Sequence, residues 1–218
     1  MSKSVLIIGA SRGIGLGFAK AYAADGWEVH ATTRTIDKPG ALGRIKSNLT
    51  IHNLDIRDGQ QIAELGYKLK NGRIDILIHN AGVNDVKMAD AEIMNVNSQA
   101  PFNVIKAIMP AILHGDLKKI AILTSQMGAR NGGATPVNIY GKSKCELNDR
   151  FREIELIWRN SGITAVIFHP GWVATDMGGR HAPVSVEESV KGMRKVIAGL
   201  SRSDSGCFLT WKGSKHPW

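Results

Sequence analysis

The sequence predicts an α/β fold: a single doubly wound sheet of about seven parallel strands with helices on both faces. Two observations predict it. Short apolar runs alternate with longer stretches of helical periodicity, the pattern of a parallel sheet buried on both sides. Each stretch between runs is also long enough to return the chain to the same end of the sheet, as right-handed parallel crossovers require.

In chain order, the strands are expected at Val5–Gly9, Glu28–Thr33, Thr50–Leu54, Ile74–His79, Lys119–Thr124, Thr164–His169 and Cys207–Thr210. Helices are expected at Gly13–Asp25, Gly59–Lys70, Ala89–His114 with a break, Asn138–Asn160 and Val186–Leu200, with a short one near Ala41–Ile45. Phe102, Ile105, Met109 and Ile112 recur at three-to-four residue spacing, which gives that helix an apolar face for the core or for a second subunit. The glycine-dense stretches Ala129–Thr135 and Met177–Gly179 follow strands, at the carboxyl edge where ligands bind in such sheets.

The 218 residues suit one core, and no linker or repeat divides them, so residues 1–218 are expected to form one domain. With 43% hydrophobic and 22% charged residues, the composition excludes a fibrous or disordered chain. Twenty-eight Lys and Arg against 19 Asp and Glu leave a net charge of +9, which suits an anionic partner without choosing its kind. The basic residues are dispersed and no aromatic-basic motif accompanies them, which argues against nucleic acid. Cys145 and Cys207 are too few for a disulfide framework. The seven histidines show no paired ligand spacing, so no metal is expected. No apolar run approaches the roughly 20 residues of a membrane span, and the cytoplasm is the expected compartment.

The first strand runs into Gly9-Ala10-Ser11-Arg12-Gly13-Ile14-Gly15 and then directly into a helical pattern. Gly9 permits a tight exit from the strand; Gly13 and Gly15 let backbone approach a pyrophosphate at the helix N-terminus. The stretch that would carry a ribose-binding acid for NAD reads Ala31-Thr32-Thr33-Arg34, with no acid. An acid there would repel a 2′-phosphate, whereas Arg34 pairs with one, so NADP(H) is the expected cofactor, with Arg12 as a second positive group. Asp55, with Ile56 beside it, is placed for the adenine, and Asn80-Ala81-Gly82 for the adenosine ribose. Loop capping and simple turns are the competing explanations for these last two sites.

Tyr140 and Lys144, four apart on a helix, share one face, where a cation can lower the pKa of the phenol and ease proton transfer. Ser125, following the fifth strand, projects from the same sheet edge and can hold a substrate oxygen. Thr124 is a rival expected to point into the sheet face. Asn97 lies in the break of the fourth helical region, where it can align Lys144 or merely satisfy a local kink.

Taken with Pro170-Gly171-Trp172-Val173-Ala174-Thr175, these motifs resemble the short-chain dehydrogenase/reductase family over nearly the whole chain. The resemblance implies a Rossmann-type domain and a catalytic tetrad of Asn97, Ser125, Tyr140 and Lys144. It also implies that Lys144 binds the nicotinamide ribose, and that Val173 and Thr175 contact the carboxamide. The short ending after Asp176 and the Gly206–Leu209 and Trp211–Trp218 segments look like the C-factor and small carbonyl reductase branch. Cys145 stands where a small Ala or Ser is expected, and reads as a packed thiol. The implied activity is interconversion of a carbonyl and an alcohol, with an NADP(H)-binding sensing or signalling protein of little turnover as the alternative. Gln126, Met127, Trp172 and Met177, with Asn138, flank the expected substrate pocket, though they can equally pack on one another. Family members pair through helices matching 97–114 and 138–160 here, so a homodimer or homotetramer is open.

Overall fold

The computed structural model describes residues 2–131 and 137–218, so part of the glycine-dense stretch Ala129–Thr135 lies outside the described residues. In the first strand, β1 (Ser4–Ile8), every residue is buried, which is why an unbroken apolar run encodes it. Leu6 and Ile8 enter one hydrophobic cluster and Val5 and Ile7 the other, because successive side chains leave a strand on opposite faces. The remaining strands are β2 (Glu28–Thr33), β3 (Leu49–Asn53), β4 (Ile76–His79), β5 (Lys119–Leu123), β6 (Thr164–His169) and β7 (Phe208–Thr210). All pair in parallel, in the order β3-β2-β1-β4-β5-β6-β7. The chain winds one way from β1 to β3 and the other way from β4 onward, so a crevice opens beyond the carboxyl ends of β1 and β4.

One face of the sheet is covered by α1 (Gly13–Ala24) and α6 (Val186–Gly199), through Phe18, Tyr22, Val190, Met193 and Ile197. The other is covered by α2 (Gly59–Leu69), α4 (Ala100–His114) and α5 (Ile139–Asn160), through Leu65, Ile105, Ile108, Leu147 and Phe151. The expected break in Ala89–His114 is a π-helical turn at Asn95–Gln99 between the short α3 (Asp90–Met94) and α4. Pro101 opens α4 and has no N–H to return to the carbonyl four residues back, which favours that wider turn.

Element ends differ from expectation by a residue or two, and the helix expected near Ala41–Ile45 is a single 3₁₀ turn at Leu42–Arg44. β1 stops at Ile8 because Gly9 takes φ +82° and leaves the extended region. β4 begins at Ile76 instead of Ile74. The buried Asp75 just before it accepts hydrogen bonds from Ser4 N at 2.9 Å, Ser4 Oγ at 3.2 Å, Asp116 N at 2.8 Å and Leu117 N at 3.3 Å. These donors tie β1, β4 and the entry to β5 together and hold the carboxyl below the usual carboxylate range, against the opposing effect of burial. Asp75→Ala strands these buried donors and is expected to cost about 3 kcal/mol in urea unfolding at neutral pH. Because the folded pKa is depressed, this contribution is present above the ordinary carboxylate pKa and is lost as pH falls through the folded value. The gap between wild type and variant should therefore close in acid; a gap independent of pH would refute this role.

Candidate active site

The glycine loop folds back on itself at the end of β1. A Cβ on Gly15 would sit 2.1 Å from the Gly9 carbonyl oxygen and 2.7 Å from Asn80 Nδ2, so only glycine lets α1 start this close to the strand. Asn80 Nδ2 donates to Gly9 O at 2.7 Å and locks the turn after β4 to the turn after β1. No side chain caps the N-terminus of α1, leaving its first-turn N–H groups for an anion.

These turns form the floor of a cleft of about 1170 Å³. Of the expected cofactor residues, Gly9, Ser11, Arg12, Gly13, Ile14, Arg34, Asp55, Ile56, Asn80, Ala81, Gly82, Tyr140, Lys144, Pro170 and Thr175 line it. Gly15, Gly171 and Val173 lie outside its lining. Gly171, at φ +90°, lies where a Cβ would be 3.0 Å from the Trp211 indole nitrogen, and Val173 is buried.

Two expected roles are altered by neighbours. Arg12 reaches across the cleft mouth to Asp176 at 2.8 Å, so its charge is already partnered; both side chains are exposed, and the pair is weak enough to open. The Asp55 carboxylate is gripped by Arg57, with Nε at 2.9 and 3.1 Å and Nη2 at 2.5 Å, which holds its pKa down. Arg57 also pairs with Glu92, pinning the loop after β3 to α3. Arg57 lines the cleft, as do Lys20 and Lys191, and none of the three was expected there. The Asp55-x-Arg57 spacing was the one available signal for Arg57.

At the other end of the cleft, Tyr140 and Lys144 line it, and Asn97 and Ser125, which lie outside its lining, approach them from behind Gly82 and beside the phenol. Asn97, fully buried on the π turn, accepts from Val83 N at 2.8 Å and donates to Val83 O at 2.7 Å and Ser143 Oγ at 2.9 Å. It thereby ties α5 to the loop after Gly82. A Cβ on Gly82 would be 3.2 Å from Asn97 Oδ1 and 3.3 Å from Lys144 Nζ, so this glycine lets the two side chains meet. Lys144 Nζ donates to Leu123 O at 3.1 Å, and burial lowers its pKa to about 8. Ser125, nine-tenths buried, accepts from Met127 N at 3.1 Å, which leaves its own O–H proton to donate. Thr124 bonds Asn148 Oδ1 at 2.6 Å, yet it also lines the cleft, against the expectation that it would point only into the sheet face.

The phenol of Tyr140 does not behave as the Tyr-Lys spacing suggested. Burial pushes its pKa above the ordinary value and the Ser125 hydroxyl only partly offsets this, while Lys144 Nζ lies 6.0 Å from the ring centre. The phenol therefore holds its proton at neutral pH. Of the expected substrate contacts, Met177 lines the cleft and is half exposed. Gln126, Met127 and Trp172 lie outside its lining; Trp172 Nε1 donates to Gly178 O at 2.7 Å across the loop after β6. Asn138 is the N-cap of α5, accepting from Gly141 N at 2.8 Å. Burial raises the pKa of the Cys145 thiol, consistent with packing.

Residues 3–183 match the family model described as short chain dehydrogenase. The chain belongs to that family. It is 39% identical to the protein named C-signal of Myxococcus xanthus over 159 residues, 67% of this chain and 94% of that one. A carbonyl reductase from chicken fatty liver, solved with NADPH bound, superposes with a TM-score of 0.87 at 33% identity, covering 100% of this chain and 99% of that one. A carbonyl reductase from Pseudomonas aeruginosa PAO1 in complex with NADP gives 0.80 at 30% identity, with both chains fully covered. The chain is thus an oxidoreductase of the short-chain type, close in fold to carbonyl reductases.

The short-chain dehydrogenase site depends on one further close approach. A Cβ on Gly128 would lie 2.6 Å from the Lys144 carbonyl carbon and 2.8 Å from Cys145 N. The 3₁₀ turn Gln126–Gly128 is therefore seated directly on α5. Gly128→Ala is expected to destabilise by about 2 kcal/mol in thermal or urea unfolding, the scale of overpacking against immovable backbone. A variant as stable as wild type would show that the turn can lift off.

Proposed function

We propose that the protein reduces the carbonyl of a ketone or aldehyde with NADPH, and oxidises the corresponding alcohol in reverse. The observation that carries this reading is that Tyr140, hydrogen-bonded to Ser125, and Lys144 line one end of a cleft at the carboxyl ends of the strands, whose other end is glycine-rich and cationic. The cradle fits a dinucleotide. The uncapped start of α1 and the close approach at Gly15 suit the pyrophosphate, and Arg34, with no acid at the end of β2, suits a 2′-phosphate. Asp55 and Ile56 would receive the adenine, Asn80 to Gly82 the ribose, and Pro170 to Thr175 the nicotinamide. When bound, the reduced cofactor supplies the hydride for the carbonyl carbon.

The chain supplies the proton and its placement. Ser125 donates a hydrogen bond to the carbonyl oxygen, and Tyr140, kept protonated by its burial, gives that oxygen its proton. Lys144, with its pKa near 8, keeps a substantial charged fraction at neutral pH and is held from behind by Leu123 O. It can steady the ribose hydroxyls and lower the cost of phenolate formation as the proton leaves. Asn97 fixes the turn after Gly82 and the start of α5, and so acts on Lys144 through the backbone.

The intact Ser125, Tyr140 and Lys144 set speaks against the signalling alternative of little turnover. Leu156 and Ile157 on α5, at 58% and 63% exposure, support pairing of two copies through this helix, whereas the apolar face of α4 (Ile105, Ile112, with Phe102 and Met109) packs into the core. No helix among the described residues is long and apolar enough to cross a membrane, which fits a cytoplasmic enzyme.

Tyr140→Phe should keep NADPH binding, read by fluorescence titration, and lose at least about 10²-fold in reductase kcat, the contribution of a positioned proton donor. Full activity in that variant would remove Tyr140 from the mechanism. Arg34→Glu should lower the NADPH over NADH ratio of kcat/KM by about tenfold or more, since one charge-assisted contact is replaced by repulsion. An unchanged ratio would place the 2′-phosphate elsewhere.

A further inference from the structure

Beyond β7 the chain does not leave the molecule. Thr210 N donates to Ser214 O at 2.8 Å and Gly213 N to Thr210 O at 2.9 Å, a tight reversal that sends the following residues back along the edge of β7. Leu209 bridges Lys215 in antiparallel fashion, and His216 N donates to Phe208 O at 2.7 Å. The end of this returning tail is anchored by Trp218. Its ring stacks on Phe151 of α5 at 6.2 Å with 19° between planes and tilts over Phe208 at 5.7 Å, and the Arg152 guanidinium lies 5.3 Å from it.

With the ring held there, the main-chain oxygen of Trp218 accepts a hydrogen bond from Asn131 N at 2.7 Å. Asn131 closes the described part of the segment that begins at Ser125. The same segment is gripped at its start, where Gln126 N approaches His169 Nδ1 at 3.4 Å, and His169 packs edge-on against His216 of the tail at 6.0 Å. Both ends of Ser125–Asn131 are thus tied, directly or through one ring, to the tail. The tail does not line the cofactor cleft.

We propose that Trp218 is a positioning residue for the carbonyl substrate: it anchors the tail that fixes Ser125–Asn131, and so sets how a carbonyl compound meets Ser125 and Tyr140 without affecting the cofactor. This rests on the reductase reading above. Fixing a loop in its working geometry lowers the cost of ordering it when substrate binds. Asp149 on α5, which pairs with Arg130, gives the segment a second hold of its own, so losing the tail loosens the segment without unfolding it.

The test compares Trp218→Ala with Trp218→Phe, which keeps an aromatic ring on Phe151. Trp218→Ala should raise KM for a carbonyl substrate about tenfold, the size of one hydrogen bond plus one aromatic contact, with NADPH affinity within about twofold of wild type. Trp218→Phe should restore most of that loss. Amide hydrogen exchange supplies a readout that needs no turnover: peptides spanning Ser125–Asn131 should exchange about tenfold faster in Trp218→Ala than in wild type or Trp218→Phe, from the same lost contacts. An unchanged carbonyl KM would overturn the proposal, as would a parallel loss of NADPH affinity and thermal stability, or unaltered exchange in the segment. A wild-type protein that binds NADPH but reduces no carbonyl would instead refute the reductase reading, and the exchange experiment would still decide whether Trp218 holds the segment.

Discussion

The site is organised around a buried ammonium. Lys144 is 4% exposed, no carboxylate is paired with it among the described residues, and its one hydrogen bond in the protein goes to the Leu123 carbonyl. Taking a charge out of water without a counter-charge is costly, and the drop of its pKa to about 8 expresses that cost. The surroundings can tolerate such a group only by placing polar backbone close to it. Gly82, bare of a side chain where a Cβ would lie 3.3 Å from Lys144 Nζ, is the residue that permits this. His79, the last residue of β4, is held uncharged by burial and by the same ammonium, with its pKa lowered to about 3, so it adds no second positive charge. A free positive charge facing a cleft is a standing demand for an electron-rich partner such as ribose hydroxyls or a developing phenolate.

That demand explains why Tyr140 and Lys144 divide their tasks. In water, a cation near a phenol acidifies it; here burial raises the phenol pKa, the Ser125 hydroxyl offsets this only in part, and the proton stays on the phenol. Reduction needs the protonated form, so the low dielectric that penalises Lys144 also prepares Tyr140. The same wall of α5 does both.

Much of this was legible in the sequence, and the boundary of legibility is physical. The identity and order of the strands could be read because a parallel strand buried on both faces must be an unbroken apolar run, as in Val5–Ile8 and Ala165–Phe168. Their ends could not, because they are set by one left-handed glycine and one buried carboxylate, at Gly9 and Asp75. The residues that meet at the sheet edge were legible through spacing, since four residues on a helix define one face. Their ionisation was not, because burial is a property of the whole packed layer. Arg57 escaped notice because its partners, Asp55 and Glu92, come from separate segments and only the fold brings Glu92 near.

The loop from β6 to the start of α6 at Val186, tied by Val173–Val184 pairing, brings Pro170, Ala174, Thr175, Asp176 and Met177 to the lining of the cleft. The segment after β5 contributes Ser125, whose hydroxyl bonds Tyr140. A loop leaving a strand has no ladder of its own and keeps a defined shape only if something outside it holds it. The 3₁₀ turn on α5 holds its first half through Gly128, and the aromatic anchor at Trp218 reaches its second half from the far edge of the sheet. The residues proposed to hold the cofactor come from the loops of β1 to β4 and also from α5 and the loop after β6, whereas the tail lines none of the cleft. Changes in the tail can therefore alter the fit of the carbonyl compound without disturbing the cofactor cradle.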